Sequence, residues 1–368
     1  MPFKVLPESS ASEKKFSFNA AHPMFRYEVS AVDSQIIERM KQAGVIVVVG
    51  MGGSVLPLKA FIDFFQLQSK IFLLDTVDPD RFAVIKTLPN PLFCIVSKSG
   101  ETLEIKALLE QIIAAGFSKN ILTVTDAQKG FLREFTAKEN LLSLPIPQDI
   151  GGRFTNFTIF HRALLESQGI AFEHMLKHAK KVVENFKKDA SLLEKLYQQL
   201  FTSDRRNLIL WAYGDRTFGL AAWMQQVIGE SLGKKTKAGV RKGILPVVLK
   251  GPQDQHSVLQ LLSDGPQDKV LWFFSAFHGE GVLNEALQIL LESTFKTFEE
   301  RLANPETFQP IARFDLSTNT EFFVEMIVTI QAFTEYSADR LEINAFDQPG
   351  VERGKEIARE LLKDVWNH

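Results

Sequence analysis

The stretch VIVVVGMGGSVLPLKAF, residues 45–61, decides how the chain is read. Five consecutive β-branched residues, Val45 to Val49, make an apolar run of strand length, and an unalternated run of this kind suits a strand covered on both faces. It leads directly into Gly50, Gly52 and Gly53. A dinucleotide fingerprint would need glycines at 50, 52 and 55, and Asp75 lies about where a ribose-binding acid falls, but position 55 is Val55. The third glycine normally lets helix and strand pack closely, so the match is incomplete. A P-loop is excluded because no Gly-Lys-Ser/Thr follows at the required spacing. A tight strand-to-helix turn that needs positive φ explains one or two of the glycines. It does not explain the loop that comes next.

Outward from this stretch, strands and helices alternate. VDSQIIERMKQAG (32–44) predicts an amphipathic helix closed by Gly44, and TLEIKALLEQIIAAG (102–116) has helical periodicity with a terminal glycine. KIFLLD (70–75), LFCIVS (92–97) and ILTVT (121–125) are short apolar runs of strand type. Such alternation argues for a parallel sheet covered by helices. A helical pattern over 171–200 separates this unit from a second series, with strands NLILWAY (207–213), ILPVVL (244–249) and VLWFFSA (270–276) and helices at 216–231, 282–301 and 321–337. The expected fold is α/β, with two αβα units in tandem.

Composition narrows the functions. With 368 residues and 45% hydrophobic content, the chain is long enough for two cored domains. Its 42 basic and 44 acidic residues leave a formal charge of -2, which provides no global field for DNA, RNA or an anionic membrane. Any anion must be held locally. The single cysteine, Cys94, cannot form an internal disulfide, and MPFKVLPESSASEKK has neither a signal-peptide core nor a transit-peptide pattern. The expected compartment is a reducing cytoplasm.

The loop IVSKSGETLE (95–104) sets two serines, a lysine, a glycine and a threonine between a strand and a helix start. Small hydroxyls and free backbone N–H groups at a helix N-terminus form a phosphate cradle. Capping alone would explain Ser99, and solvation would explain Lys98. Taken together, however, GMGGS and SKSGETLE resemble the glucose-6-phosphate isomerase family, which is built from two sugar-isomerase (SIS) domains. The later motifs follow in order: GGRFTNFT (151–158), QQVIGESLGKK (225–235), DQHSVLQLL (254–262) and FDQPGVERGK (346–355). The resemblance runs from about residue 45 to the end and implies an N-terminal extension over 1–28, SIS-like αβα domains over 29–185 and 186–345, and a C-terminal helical segment over 346–368 that returns to the active site.

What the resemblance implies chemically is reversible isomerisation of glucose 6-phosphate and fructose 6-phosphate. Moving a proton between adjacent carbons through an enediolate needs a base, a cation facing the developing oxygen charge, and a ring-opening acid. Neither metal nor cofactor is required. Glu230 matches the base, in a stretch where partial burial would tune a carboxylate for proton transfer. Gln226, four residues earlier, would project from the same helix face and orient a hydroxyl. Arg153 matches the enediolate-stabilising cation, and His256 and Lys355 match the ring-opening residues. Gln348 is implied as a substrate contact, Gly53 and Ser54 as substrate neighbours, and Ser97, Lys98, Ser99 and Thr102 as the phosphate site. Glu101 stands where relatives carry a small or hydroxylated residue, and Val55 and Pro349 also differ from commoner residues. A carboxylate at 101 aimed at the phosphate would repel it, whereas one pointing outward would favour the helix N-terminus. The resemblance also implies a homodimer in which His256 crosses to the neighbouring subunit. A regulatory sugar-phosphate sensor on the same fold is the competing class, and acceptance of mannose 6-phosphate a further option; a sensor has no need of Glu230, Arg153, His256 and Lys355 together.

Overall fold

The structure, a computed structural model, describes residues 3–7, 19–202 and 204–366. Residues 1–2 and 8–18 of the segment predicted as an N-terminal extension therefore lie outside the described residues. The part that is described contributes β1 (Phe3–Leu6).

The run that opens the sequence reading forms β2 (Val45–Val49), buried along its whole length. It lies in the middle of a parallel sheet with β3 (Ile71–Leu74), β4 (Pro91–Ser97), β5 (Ile121–Thr125) and β6 (Ser143–Pro145), in the order β3-β2-β4-β5-β6. The chain leaves β2 toward β3 and then returns to the other side as β4. The C-terminal ends of β2 and β4 thus flank a topological switch point, where open α/β sheets hold ligands. Helix α1 (Ser34–Gln42) leads into β2, and four helices connect the strands: α2 (Leu56–Phe65), α3 (Pro79–Ile85), α4 (Leu103–Ala114) and α5 (Phe131–Lys138). Asp33 and Asp78 start α1 and α3 by accepting the backbone N–H two residues on, as N-caps do.

After α6 (Ile159–Ser167), the helical pattern over 171–200 is two helices, α7 (Phe172–Lys188) and α8 (Ser191–Phe201). They part where the Asp189 carboxylate accepts the Ser191 N–H at 2.9 Å, a local bond that competes with helix continuation. The second sheet follows with β7 (Asn207–Tyr213), β10 (Leu245–Gly251), β11 (Lys269–Ser275) and β12 (Ile311–Asp315), and a small hairpin, β8 (Lys234–Lys235) and β9 (Arg241–Lys242), precedes β10. The sheet order is β1-β12-β11-β7-β10, parallel except for the edge strand β1. Its four parallel strands repeat the first sheet's arrangement, with β7, β10, β11 and β12 standing for β2, β3, β4 and β5. The connecting and closing helices are α9 (Asp215–Leu232), α10 (Gln255–Asp264), α11 (Val282–Glu300), α12 (Thr320–Leu341) and α13 (Pro349–Trp366). β12 carries no clear apolar run because Arg313 and Asp315 interrupt it, which hides the strand from a hydrophobicity reading. No helix among the described residues is long and apolar enough to cross a membrane.

The two sheets are joined by helix packing. α2 and α9, which follow β2 and β7, the first parallel strand of each sheet, lie against each other with Phe61, Phe64, Leu220, Trp223 and Met224 all buried. They run antiparallel: Gly219, early in α9, meets Lys59 and Asp63, whereas Gly52, just before α2, meets Gln226 late in α9. A Cβ at Gly219 would stand 2.4 Å from the Lys59 carbonyl oxygen and 2.6 Å from a carboxylate oxygen of Asp63. In an ordinary helix interior, Gly to Ala stabilises by up to about 1 kcal/mol. Here the contact is with backbone and reverses the sign: Gly219→Ala is expected to lower stability by about 1–3 kcal/mol in urea denaturation. A stabilised variant would contradict the close crossing.

Candidate active site

Glu230 lies in the last turn of α9, and three polar side chains from three segments converge on its carboxylate. Gln226, one turn earlier, donates from Nε2 to Oε1 at 3.2 Å. Gln348 donates to Oε2 at 2.6 Å, and Arg153 donates to the same oxygen at 3.2 Å. The carboxylate is about one-third exposed, so it is held in place while still facing solvent.

Arg153 is the inner wall, with its side chain only 2% exposed. It sits in a short 3-10 segment, Gly152–Phe157, whose residues from Arg153 onward are buried. Its Nε donates to the Ser231 hydroxyl at 2.8 Å, its second terminal nitrogen donates to the Ala345 carbonyl, and Trp223 Nε1 holds its backbone carbonyl at 2.7 Å. Burial pulls the guanidinium below its ordinary value, opposed by the carboxylates of Glu230 and Asp347. Arginine nonetheless stays a cation.

Two glycine loops meet behind this wall. A Cβ on Gly53 would lie 2.6 Å from the Arg153 nitrogen and 2.8 Å from the Gly152 carbonyl carbon, so only glycine lets the two backbones touch. Gly52 has φ +50°, and a Cβ there would sit 3.1 Å from Gln226 Nε2. Gly53, Ser54, Lys98 and Gly152 border a common void of about 20 Å³, roughly the space of one water.

The serine loop between β4 and α4 is ordered by its own hydroxyls. Ser97 Oγ and Thr102 Oγ1 lie 3.0 Å apart, and Ser99 Oγ accepts the Glu101 N–H at 3.2 Å. Thr102 occupies the N-cap of α4 without a side-chain cap bond, which leaves the helix's leading N–H groups free to face an anion. The Lys98 ammonium is committed elsewhere: it donates to the carbonyls of Gln148 at 2.8 Å and Ile150 at 2.7 Å, bracing the approach to the Gly151–Gly152 pair. Burial holds it below its usual value, against the pull of Asp149 and Asp126. Both oxygens of Glu101 are also taken. One pairs with Lys106 at 2.6 Å, and the other accepts the Phe131 N–H at 2.6 Å, at the start of α5.

His256 and Lys355 stand apart from this cluster. His256 is exposed in the first turn of α10, and Lys355 is exposed on α13, paired with Glu352 at 2.8 Å. An open cleft of about 1170 Å³ reaches Glu230 and Gln348, with Lys234, Asn344 and Pro349 on its walls. Neither His256 nor Lys355 lines it, nor do Ser97, Ser99 and Thr102. Among the described residues, no group of three His, Cys, Asp or Glu side chains converges to hold a metal ion. Ser231, Trp223 and the Ala345 carbonyl were not singled out from the sequence. Ser231 stands inside the GESLGKK motif and Ala345 directly precedes FDQPG, so adjacency to a motif was the available signal.

No family model matches the sequence. A glucose-6-phosphate isomerase of Campylobacter jejuni is 30% identical across 89% of this chain and 87% of its own length. One from Carboxydothermus hydrogenoformans is 27% identical across 91% of this chain and 82% of its own. The crystal structure of a glucose-6-phosphate isomerase from Chlamydia trachomatis has the same fold, with a TM-score of 0.76 over 98% of this chain and 81% of that one at 20% identity.

The Glu101 contacts yield a pH-dependent expectation. The Lys106 hydrogen bond and then the Phe131 N–H hold this carboxyl below its ordinary value. A depressed folded-state value stabilises above the unfolded value, and that contribution disappears as pH falls through the folded one. Glu101→Gln should therefore lower the melting temperature slightly at pH 7 and not at all at a pH where wild-type Glu101 is protonated. Affinity for inorganic phosphate should stay within about twofold at either end of the comparison, because an exposed pair contributes little. Markedly tighter phosphate binding by the variant would place the carboxylate in the anion site.

Proposed function

The chain belongs to the glucose-6-phosphate isomerase family and is an isomerase, and from that premise we propose that this site interconverts glucose 6-phosphate and fructose 6-phosphate by the following route. The observation that carries the proposal is the convergence of Arg153, Gln226 and Gln348 on the Glu230 carboxylate. The phosphate is held by the hydroxyls of Ser97, Ser99 and Thr102 and the leading N–H groups of α4, with Gly53 and Ser54 along the sugar. Lys98 adds positive charge and backbone, its Nζ being occupied by two carbonyls.

His256 and Lys355 move the proton between ring oxygen and anomeric hydroxyl that opens the sugar ring. Glu230 then takes the proton from C2 of the open aldose, leaving a cis-enediolate whose oxygen charge faces Arg153. The same proton goes back to C1 while the hydroxyl proton passes from O2 to O1, so the step conserves charge and leaves Glu230 ionised. A buried, fixed guanidinium acts strongly on developing charge because it does not reorganise as the charge appears. The Gln226 carbonyl oxygen is buried with no partner among the described residues, and it accepts a substrate hydroxyl.

His256 lies outside the Glu230 cluster of its own chain, which supports a homodimer with the histidine supplied by the neighbouring subunit. The enzyme so assembled works in the cytoplasm, in glycolysis and gluconeogenesis.

A coupled assay that supplies fructose 6-phosphate and follows glucose 6-phosphate tests the activity directly. Glu230→Gln should cut turnover by roughly 10²–10⁴-fold and leave sugar-phosphate affinity within a few-fold, since the amide keeps the shape but cannot accept a carbon-bound proton. Comparable turnover by the variant removes Glu230 from the role. For the shared site, Glu230→Gln and His256→Ala chains are unfolded and refolded together in equal amounts. Random pairing makes about half the dimers mixed, each with one intact and one doubly damaged site, so about a quarter of wild-type activity should return. No recovery after confirmed chain exchange would place both residues in one chain's site.

A further inference from the structure

The GESLGKK motif contributes a second functional residue that touches none of the reacting groups. Lys234 follows Gly233, the C-cap of α9, and its side chain is only 8% exposed despite its charge. Its ammonium donates to three acceptors, all in the short stretch between α12 and α13: the carbonyl of Asn344, the carbonyl of Asp347 and the Asp347 carboxylate. An ammonium has three protons, so this set uses all of them.

The stretch it grips is the one that completes the site. Ala345 offers its carbonyl to Arg153, and Gln348 offers its amide to Glu230. Between them, Phe346 turns inward, stacked on His22 at 3.9 Å and edge-on to Phe154 at 5.6 Å. The outward residues have their own ties: Asn344 Nδ2 donates to Asp347 Oδ2 at 3.0 Å, and Asn344 Oδ1 accepts the Phe346 N–H at 2.9 Å. Pro349 then opens α13, where a missing N–H costs nothing. The loop therefore has an apolar anchor on one side and an ionic one on the other. Among the described residues, Lys234 is the side chain whose hydrogen bonds tie it to the end of α9, the helix that carries Glu230, without passing through the cluster itself.

Resting on the isomerase reading above, we propose that Lys234 is a positioning residue that latches the 344–348 segment to the end of α9 and so sets Gln348 against the base. The latch constrains both contacts at once because Lys234, the first residue of β8, follows the last turn of α9 that carries Glu230 by four residues, and their partners, Gln348 and Asp347, are adjacent. A displacement of about 1 Å in such a constellation can cost about 100-fold in rate.

The experiment is a double-mutant cycle on the isomerisation assay with Lys234→Met and Gln348→Ala. Methionine keeps most of the buried stem and removes every donor. Each single variant should lose about 10- to 100-fold in kcat with KM changed by less than about threefold. The double variant should be no slower than the slower single, because Lys234 acts through Gln348. Propylammonium should restore part of the activity of Lys234→Ala, and amide exchange at Phe346 should quicken in both lysine variants. If Lys234→Met is unstable, Asp347→Asn attacks the latch from its half-exposed side and should reproduce the kcat loss more weakly, again without adding to Gln348→Ala. Multiplicative losses, or an equal fall in melting temperature and activity with no rescue, would overturn the latch and leave Lys234 as a fold-stabilising residue. An inactive wild type would instead bring down the isomerase reading alone, since amide exchange at Phe346, and its slowing by propylammonium in Lys234→Ala, report the loop without any activity.

Discussion

Burying the Arg153 guanidinium is the constraint from which the site's arrangement follows. Taking a full charge out of water costs several kcal/mol unless hydrogen bonds and an opposite charge replace the lost solvent. The chain meets that cost by surrounding the fork from two sides: Ser231 and, on the open side, Glu230 from the end of α9, and the Ala345 carbonyl from the stretch after α12. These two segments and the loop of Arg153 itself are far apart in sequence, and none can move without leaving a buried donor unpaired. The fork's planar geometry makes the requirement directional, which a lysine at 153 would not do. Glu230 is thus a partner of the buried cation as well as a solvent-facing carboxylate, and its orientation is set from behind.

For this to work, the loop carrying Arg153 must lie directly on the loop that follows β2. The contact between Gly53 and the Gly152–Arg153 backbone permits it, and Gly219 does the same for the two helices that carry the loops' neighbours. These glycines share a physical role, which is to let backbone meet backbone where any side chain would hold the layers apart. The glycine cluster at 50–53 first invites a nucleotide reading, but its occupants are other parts of the chain. Gln226 faces Gly52 and Arg153 faces Gly53, so the cluster's small size serves to bring a base, an amide and a cation to one point.

The strand–helix alternation, the parallel sheets and the motif positions were legible because each is local: five valine-type residues, a terminal glycine, a hydroxyl before a helix. The four-residue spacing of Gln226 and Glu230 also translated directly, since a helix converts spacing into a shared face. What the sequence did not reveal were directions that depend on a distant element. Whether Glu101 points at an anion or away from it is decided by the start of α5, whose Phe131 N–H lies thirty residues on. That the Lys98 ammonium is held by the carbonyls of Gln148 and Ile150 likewise depends on a segment some fifty residues on. β12 was hidden by Arg313 and Asp315, which sit at the accessible end of an otherwise buried strand. His256 and Lys355 carry roles through their motifs, yet nothing local fixes where an exposed side chain on a surface helix is used.

The repeated strand order raises the question of why two similar units make one site. The last residue of β4 is Ser97 and that of β11 is Ser275, so both sheets present a serine at the same position. In the first unit it bonds Thr102 at the head of α4. In the second, the Ser275 hydroxyl is buried with no partner among the described residues, α11 starts from Gly281, and Val282 and Leu283 behind it are 79% and 88% exposed. The second unit therefore lacks the hydroxyl-lined turn that makes the first suited to an anion. It contributes through α9 instead, the counterpart of α2. Because the two helices cross antiparallel, the N-terminal end of α2, with its glycine loop, meets the C-terminal end of α9, with its carboxylate. Opposite ends of equivalent helices have opposite dipole signs, the first attracting negative charge and the second tolerating it poorly. A carboxylate at the unfavourable end must be held by other donors, which is the service Arg153, Gln226 and Gln348 perform, and that arrangement leaves a base surrounded by hydrogen-bond donors beside a loop built to receive an anion.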